Sequence, residues 1–450
     1  MTESSRTGEL VKKDIDHVLH PATLLRDHAQ TGPIVFVEGH GIWLKDSNGK
    51  EYIDGFAGLW NVSIGHGRTA LVDVIQSQAQ KLAYATMFSG MANDQAIELA
   101  HRLAQHTPAS IKRFHWTCGG SESNESAFKI ARYYWRMEGQ ENKYKIISRL
   151  LGYHGLTYGA MSATGIPHFW TNFGPPAPGF MHIPPPYCYR CPWDKEYGSC
   201  DIDCALALDK AIAAEGDTVA EFVAEPVIGT AGVIPPPPEY FPMVREICTR
   251  RNVLLHLDEV VTGFGRTGKF FAAEHWNIQP DLMTMAKALT SGYLPLGAVG
   301  LTEEIHRGLM KSNIPFFHGL TYNGHPVCCA AALANLDIIV KENLVENAAV
   351  VGKYMLERFQ EFRDLPHVGD VRGLGLMAAI ELVEDKKSKA KFSPEKKIAT
   401  QVVMKARENG LICRPLGENV CFSPPLTITR AEVDLMVDRV RPAIESIAKM

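Results

Sequence analysis

The spacing of apolar residues changes near residue 70 of the chain. Before this point, short apolar runs flank Asn48-Gly49, a dipeptide typical of a tight turn between paired strands. Beyond it, segments with helical periodicity alternate with short apolar runs, as in βαβ units built on a mostly parallel sheet. The pattern predicts helices over 71–83, 94–105 (capped by Asp94) and 121–137, and strands over 114–117, 144–147, 219–224, 253–257 and 282–286.

The last part of the chain has a different organisation. From about residue 330, long helical segments mix with predicted strands near 376–382 and 420–423, which favours a second unit of the α+β type. We expect this unit to pack with the N-terminal segment, and we expect the proline-rich stretch 174–192 to form a rigid loop. The predicted division is an N-terminal segment 1–65 that joins the small domain, a large domain 66–330 and a C-terminal small domain 331–450.

Composition and charge exclude several classes of protein. The 450 residues are 46% hydrophobic and 21% charged, which is typical of a soluble globular chain. Lysines and arginines number 46 against 50 acidic residues, so no excess of positive charge indicates nucleic acid or an anionic membrane as a partner. No apolar run is long enough to span a bilayer, and the polar first residues lack the apolar segment of a secretory signal. We therefore expect a cytoplasmic protein whose ten cysteines are mostly reduced.

A glycine motif at 263–268 matches the dinucleotide-binding pattern G-x-G-x-x-G and follows a predicted strand. That pattern needs its glycines to open a helix, and the residues after Gly268 do not start one. Asp258 and Glu259 at the end of the strand would also repel a pyrophosphate. The motif therefore does not predict a nicotinamide dinucleotide site.

Two charged residues stand where predicted strands end. Asp258 follows the apolar run 253–257, and Lys287 closes the run 282–286. Ligands of open α/β sheets bind at the carboxyl ends of strands, although either residue alone could be a surface charge. Apolar surroundings favour a neutral lysine amine, which can condense with a carbonyl cofactor. With Gly120-Ser121 at the start of a predicted helix as a phosphate cradle, the three groups match the anchors of pyridoxal phosphate.

The sequence resembles the class III pyridoxal-phosphate aminotransferases, or ω-transaminases, from about residue 31 to the C-terminus. This resemblance implies the aspartate-aminotransferase-like fold type I, an α/β fold with a large, mostly parallel-sheet domain and a small α+β domain. It also implies transfer of an amino group from an amine or ω-amino acid to a keto acid, with pyruvate expected. The motifs that carry the resemblance are 119–122, 153–155, 224–226, 257–260, 287–297 and 321–326.

The resemblance assigns a role to each matching residue. Lys287 would bind the cofactor aldehyde and move the proton, and Asp258 would pair with the pyridine nitrogen. Gly119 stands where relatives often have serine, so one side-chain contact to the phosphate is in doubt. The other implied cofactor contacts are Gly120 and Ser121 at the phosphate, Tyr153 and Val260 on the two ring faces, Glu225 near the ring hydroxyl, and Thr321 at the phosphate of the partner subunit.

The contact from Thr321 implies a homodimer or a dimer of dimers with shared active sites. On the substrate side, Arg414 matches a mobile arginine of pyruvate-using relatives, and its guanidinium could grip a carboxylate. Trp60 and Tyr153 would line the substrate pocket, with Phe88 entering from the other subunit. A surface ion pair for Arg414 and plain core roles for Trp60 and Phe88 are the alternatives.

Two questions stay open at the level of sequence. Cys188, Cys191, Cys200 and Cys204 form a C-x2-C-x8-C-x3-C pattern. This pattern suggests zinc, an iron–sulfur site or a disulfide, but it differs from paired C-x2-C knuckles, so we expect free thiols and no metal. The reaction is also open, because an aminomutase or a decarboxylating transaminase would use the same cofactor. A non-catalytic binding protein on the same fold is a third alternative.

Overall fold

The computed structural model describes residues 3–449, and the side chains of residues 6–448. Met1 and Thr2, which belong to the polar start used to predict a cytoplasmic location, lie outside the described residues. The strands are β1 Phe36–His40, β2 Trp43–Asp46, β3 Glu51–Asp54, β4 Ile111–Thr117, β5 Lys145–Arg149, β6 Phe180–Ile183, β7 Val219–Ala224, β8 Leu254–Asp258, β9 Leu282–Met285, β10 Gly297–Thr302, β11 Val368–Gly373, β12 Ala378–Leu382, β13 Leu411–Ile412, β14 Arg414–Leu416 and β15 Asn419–Phe422. The α-helices are α1 Glu3–His17, α2 Leu25–Thr31, α3 Ala57–Trp60, α4 Thr69–Lys81, α5 Asp94–His106, α6 Gly120–Met137, α7 Tyr158–Ala163, α8 Asp203–Glu215, α9 Tyr240–Arg250, α10 Glu303–Leu309, α11 Pro326–Lys341, α12 Leu344–Gln360, α13 Ile398–Glu408 and α14 Arg430–Glu445.

A seven-stranded sheet forms the centre of the molecule, in the order β4-β10-β9-β8-β7-β5-β6. Strand β10 runs antiparallel to both of its neighbours, and the other adjacent pairs are parallel. The prediction of a mostly parallel sheet is confirmed. β7 and β8 are buried on both faces, as expected for parallel strands covered by helices.

Two smaller sheets bring the ends of the chain together. The hairpin predicted at Asn48-Gly49 is confirmed, because β2 and β3 pair in antiparallel fashion around it. The short strand β13, which lies late in the sequence, pairs in parallel with β3 and so confirms that the last part of the chain packs with the N-terminal segment. The second small sheet has the order β11-β12-β15-β14 and contains the two strands predicted there.

Two local expectations are wrong. The cap of α5 is Asn93, whose side chain accepts a hydrogen bond from the Ala96 amide at 2.9 Å, so Asp94 lies one residue inside the helix. The proline-rich stretch 174–192 also contains the edge strand β6 and is not a loop throughout. The glycine motif at 263–268 lies in turns and bends and opens no α-helix, as expected. Among the described residues, no helix has the length and apolar character needed to cross a membrane.

Candidate active site

The site lies where the carboxyl ends of the parallel strands meet. Asp258 is the last residue of β8, and Lys287 comes two residues after β9, the adjacent strand. Glu225 directly follows β7. Helix α6 starts three residues after β4 ends, so its first amide groups point into the same region. Parallel order therefore gathers residues that are far apart in the sequence.

These residues line one cavity of about 740 Å³. Most of the predicted site residues face it, and they come from both the central sheet and the C-terminal sheet. Phe88 and Thr321 do not line it. The predicted residues that do are Trp60, Gly120, Ser121, Tyr153, Glu225, Asp258, Val260, Lys287 and Arg414.

The buried carboxylate of Asp258 is held by a network of donors. His154 Nδ1 and Asn124 Nδ2 both donate to Asp258 Oδ2 at 2.8 Å, and the Val260 amide donates to Oδ1 at 3.1 Å. Burial alone would raise the pKa of Asp258, but the hydrogen bonds from His154 and Asn124 outweigh it and hold the pKa below its ordinary value. The carboxylate is therefore kept ionised and oriented at the floor of the cavity.

Lys287 presents its amine to the same cavity. Its backbone adopts a left-handed conformation (φ 46°), which a non-glycine residue keeps only when the surrounding structure enforces it. Burial lowers the pKa of Lys287 to about 8, although the carboxylates of Asp258 and Glu225 act in the opposite direction. A substantial fraction of this amine is therefore neutral near pH 8 and able to attack a carbonyl.

A close approach of two elements shapes the anion-binding end of the cavity. Gly120 opens α6, and a Cβ atom added there would lie 2.8 Å from Val260 Cγ1. Only glycine lets the helix start pass so close to Val260. Ser121 Oγ accepts a hydrogen bond from the Leu156 amide at 3.2 Å, which ties the helix start to the segment after Tyr153.

Glu225 and Tyr153 form a second connected group. The Tyr153 amide donates to Glu225 Oε1 and the Gly229 amide donates to Oε2, both at 2.9 Å. Burial raises the pKa of Glu225 above its ordinary value, and the nearby Asp258 acts in the same direction. The Tyr153 ring meets Phe169, another cavity residue, edge to face at 5.3 Å. This side of the cavity is therefore walled by aromatic rings.

Arg414 brings a positive charge into the cavity from the C-terminal sheet. Burial lowers the pKa of its guanidinium, and no carboxylate is among the groups that act on it. The guanidinium lies 5.8 Å from the centre of the Phe56 ring, which in turn packs against Trp60 at 4.5 Å. Arg414 is therefore a cation on an aromatic wall, and the surface ion pair considered as its alternative is not observed in the described part of the chain.

Phe88 and Thr321 lie together on an outer face of the molecule. Phe88 is 48% exposed and touches the segment at Gly319, while the Thr321 carbonyl accepts a hydrogen bond from the Tyr84 hydroxyl at 2.8 Å. Tyr322 beside them is 60% exposed. A role for either residue in a cavity therefore requires the cavity of a second subunit.

No sequence pattern indicated a role for His154 or Asn124, the two donors to Asp258. Both stand inside motifs that were recognised, since His154 follows Tyr153 and Asn124 lies in the first turn after the glycine pair. Thr284 fixes the Asn124 amide by donating to its Oδ1 at 2.9 Å. For Asn124 the available signal was a polar residue on a buried helix face, whereas His154 lies outside the helices.

The four cysteines of the C-x2-C-x8-C-x3-C pattern also come together, and they line a different cavity. All four line one small cavity beside α8 and all are free thiols. Burial and then the neighbouring Cys188 raise the pKa of Cys204 to about 12. The grouping inferred from spacing is thus present, and the expectation of free thiols without metal stays a prediction.

The cavity fits pyridoxal phosphate, because its donor set matches each part of that cofactor. The neutral amine of Lys287 suits the aldehyde, the ionised Asp258 suits the pyridine nitrogen, and the helix start at Gly120 suits the phosphate. The fold and this cavity define a pyridoxal-phosphate-dependent enzyme of fold type I.

Comparison with known proteins identifies the family. The family described as aminotransferase class-III matches residues 25–444, and the chain belongs to it. The chain is 40% identical to a diaminobutyrate–2-oxoglutarate transaminase of Halomonas elongata over 98% of this chain and 96% of that protein. It is 37% identical to a putrescine–pyruvate aminotransferase of Pseudomonas aeruginosa over 99% and 98% of the two chains.

Solved structures agree with this assignment. An (S)-enantioselective ω-transaminase from Thermomicrobium roseum is 46% identical, covers 98% of both chains and superposes with a TM-score of 0.95. The ω-transaminase of Pseudomonas jessenii in complex with PMP is 37% identical, also over 98% of both chains, with a TM-score of 0.95. The protein is an aminotransferase that depends on pyridoxal phosphate, and the alternative of a non-catalytic binding protein is wrong.

Proposed function

We propose that this aminotransferase moves an amino group from an amine or ω-amino acid to pyruvate. The observation that carries the proposal is Arg414, which lies in the same cavity as the Lys287 amine and has no carboxylate partner among the described residues. A guanidinium in a cavity with aromatic walls can bind the carboxylate of a small keto acid. The same walls, from Trp60 to Phe169, suit the apolar part of an amine donor.

Different residues of this chain carry out different parts of the proposed reaction. When bound, pyridoxal phosphate supplies an aldehyde that condenses with amines and a ring that takes up the electrons of the broken C–H bond. Lys287 Nζ takes the proton from the donor carbon and returns it to the cofactor side. Asp258 keeps a proton on the ring nitrogen, which makes the ring a better electron acceptor. The keto acid then runs the same steps in reverse, so the kinetics are ping-pong.

The acceptor is tested by changing the charge at position 414. In Arg414→Gln, the KM for pyruvate is expected to rise about 10-fold or more, since a charge-assisted hydrogen bond contributes roughly 1.5–3 kcal/mol. The half-reaction with a donor that lacks a carboxylate should change far less. Arg430→Gln, an exposed arginine at the start of α14, is the matched control.

The outcome that contradicts this proposal is an unchanged KM for pyruvate in Arg414→Gln. A panel of amine donors with pyruvate and 2-oxoglutarate as alternative acceptors then measures the preference directly. Turnover that needs no keto acid would instead indicate an aminomutase, and release of carbon dioxide would indicate a decarboxylating transaminase.

We further propose that the active unit is a homodimer, alone or paired with a second one, with Phe88 and Thr321 reaching the cavity of the partner subunit. Their exposure, and the exposed rings of Tyr84 and Tyr322 beside them, support this proposal. An exposed group of aromatic residues on one face is typical of a subunit interface. The cytoplasmic location and the domain boundaries after residues 65 and 330 likewise stay predictions.

A further inference from the structure

Three neighbouring strands of the central sheet each carry one polar residue in an otherwise apolar interior. Glu221 lies in β7, His256 in β8 and Thr284 in β9, and each of them is 0% exposed. Strands that helices cover on both faces normally consist of near-continuous apolar runs. A polar side chain buried there costs free energy unless it has hydrogen-bond partners. Apolar packing alone therefore does not account for these three residues.

All three side chains lie on the face of the sheet that α6 covers. Residues two apart in a strand share a face, so His256 lies on the same side of β8 as Asp258. Thr284 pairs with Asp258 on β9, and the register of β7 places Glu221 on this face too. Phe128 of α6 packs against His256 there, with the ring centres 6.0 Å apart. The three polar residues therefore lie beneath α6, in the layer that also holds Asp258.

A series of close polar contacts leads from these residues to Asp258. His256 Nδ1 lies 3.4 Å from Glu221 Oε1, and His256 Nε2 lies 3.2 Å from Thr284 Oγ1. Thr284 Oγ1 donates to Asn124 Oδ1 at 2.9 Å, and Asn124 Nδ2 donates to Asp258 Oδ2 at 2.8 Å. All of these residues are buried, so bulk water does not compete for the contacts.

The direction of each hydrogen bond follows from the hydrogens available. The single hydroxyl hydrogen of Thr284 is used toward Asn124, so the hydroxyl accepts from His256, whose Nε2 must carry a hydrogen. The contact between His256 Nδ1 and Glu221 needs one shared proton, because two lone pairs would otherwise face each other. Glu221 Oε2 has no hydrogen-bond partner in the described part of the chain. The buried carboxyl therefore depends on His256.

Glu221, His256 and Thr284 together are called the buried polar chain below. We propose that the buried polar chain positions Asp258 for the reaction and acts on it through Asn124. Because Thr284 occupies the amide oxygen, Asn124 presents its amide hydrogens to the carboxylate of Asp258. This inference rests on the role proposed for Asp258, which is to keep a proton on the pyridine nitrogen of the bound cofactor.

The expected electrostatic effect has a definite direction. Burial raises the pKa of Asp258, whereas its hydrogen bonds and a positive charge on His256 lower it. Without the buried polar chain, Asp258 becomes a stronger base and draws the proton away from the pyridine nitrogen. This weakens the ring as an electron acceptor.

The test measures the proton on that nitrogen directly. The holoenzyme is loaded with pyridoxal phosphate that carries nitrogen-15 in its ring, and the chemical shift is recorded by solid-state NMR, since protonation strongly displaces this resonance. Thr284→Val keeps a β-branched shape and removes the hydroxyl, so the resonance should move toward the unprotonated position. The rate of the half-reaction with an amine donor should fall about 5-fold, a factor typical of one hydrogen bond.

Thr284→Ser is the matched control, because it keeps the hydroxyl and loses only a methyl group. It should keep the wild-type resonance even where its melting temperature falls. The double variant Glu221→Leu/His256→Leu removes both polar groups at once and leaves no buried charge without a partner. Its resonance should move in the same direction as that of Thr284→Val. Should the double variant not fold, Thr284→Val still tests the proposal, because it leaves the other two residues in place.

Asp258→Asn separates this inference from the proposed function, and its resonance should lie at the unprotonated position. A resonance that does not move in Asp258→Asn would overturn the role of Asp258 itself, and this inference with it. A resonance that moves in Asp258→Asn but stays at the wild-type position in Thr284→Val or in the double variant would overturn the buried polar chain alone. Lower melting temperatures without such a movement would show that its residues only stabilise the fold.

Discussion

The amine of Lys287 and the carboxylate of Asp258 have opposite electrostatic requirements within one cavity. In the proposed reaction the lysine must lose its proton, and burial favours this by lowering its pKa to about 8. The aspartate must stay charged, and the donors His154 and Asn124 secure this against the same burial. One cavity can do both because His154 and Asn124 donate hydrogen bonds to the aspartate, and these bonds offset its burial.

The sequence predicted these two residues, since each ends an apolar run and strand ends of parallel sheets bind ligands. The donors that tune Asp258 were not assigned. His154 is 104 residues away from Asp258 in the chain, and Asn124 is 134 residues away, so only the strand order brings them into contact. Pairings across such distances leave no periodicity in the sequence.

A pH prediction follows from the pKa of Lys287. The neutral fraction of an amine with a pKa of about 8 rises with pH and saturates above that value. Covalent recombination of the apoenzyme with pyridoxal phosphate should therefore accelerate about 10-fold from pH 7 to pH 9 and then level off. The measurement is the second-order rate constant of recombination, followed by absorbance and by regained activity.

The reference for this prediction is a lysine in water. The side-chain amine of Nα-acetyl-lysine, with an ordinary pKa, should accelerate roughly 100-fold over the same interval without a plateau. Lys287→Ala should form no covalent adduct at any pH. An apoenzyme that follows the model compound up to pH 10 would show that burial does not lower the pKa of Lys287.

At the scale of elements, periodicity predicted the helices and strands of the central region well, because their apolar faces are buried. The two errors arose where neighbouring residues favour different local structures. Asn93 and Asp94 are both good helix caps, and only the backbone path selects Asn93. β6 is an edge strand without a proline of its own, and the prolines on both sides of it predicted a loop instead.

Hydrogen bonds between a carboxylate and two histidines join α1 to the segment that contains α2, and no sequence pattern indicated them. Asp14 accepts hydrogen bonds from His20 Nε2 at 2.9 Å and from His28 Nε2 at 2.8 Å. The residues between the two histidines include Pro21 and Ala22, which line the catalytic cavity. One carboxylate on α1 therefore holds part of the cavity wall in place.

Removing the hydrogen bonds of Asp14 should make this part of the cavity wall more mobile without changing the catalytic groups. In Asp14→Asn, the KM for the amine donor should rise several-fold while kcat stays near the wild-type value, because Asp14 is not among the residues that line the cavity. Steady-state kinetics with a small and a bulky donor measure the effect. Asp16→Asn, at an exposed acid on the same helix, is the control. Equal KM values in the two variants would contradict a role for Asp14 in the cavity wall.

At the scale of the whole molecule, the sequence predicted the class of fold but not the way the sheets share the site. The catalytic cavity takes Lys287 from the central sheet and Arg414 from β14 of the C-terminal sheet. The position of Arg414 depends on β13 pairing with β3 across more than 350 residues. The sequence pattern predicted that the two ends of the chain pack together, but only the resemblance to a family indicated that Arg414 lies at the site.

The proposed sharing of active sites between subunits can be tested only in the assembled protein. Lys287→Ala disables the cavity of its own chain, whereas Thr321→Glu should place a negative charge at the phosphate end of the partner's cavity. Each variant alone should be inactive. When the two variants are co-expressed and their chains pair at random, each mixed dimer has one intact cavity. About a quarter of wild-type activity should therefore return.

The control for that experiment pairs Lys287→Ala with Asp258→Asn. Both defects lie in the cavity of the same chain, so each cavity of the mixed dimer carries one of them and activity should stay absent. The two pairings differ only in where the second residue acts, and light scattering verifies that both mixtures assemble to the same size. If Thr321→Glu alone binds no cofactor and its mixture with Lys287→Ala is also inactive, Thr321 acts in the cavity of its own chain. If Thr321→Glu alone keeps full activity, the outer face it shares with Phe88 contributes nothing to a neighbouring cavity.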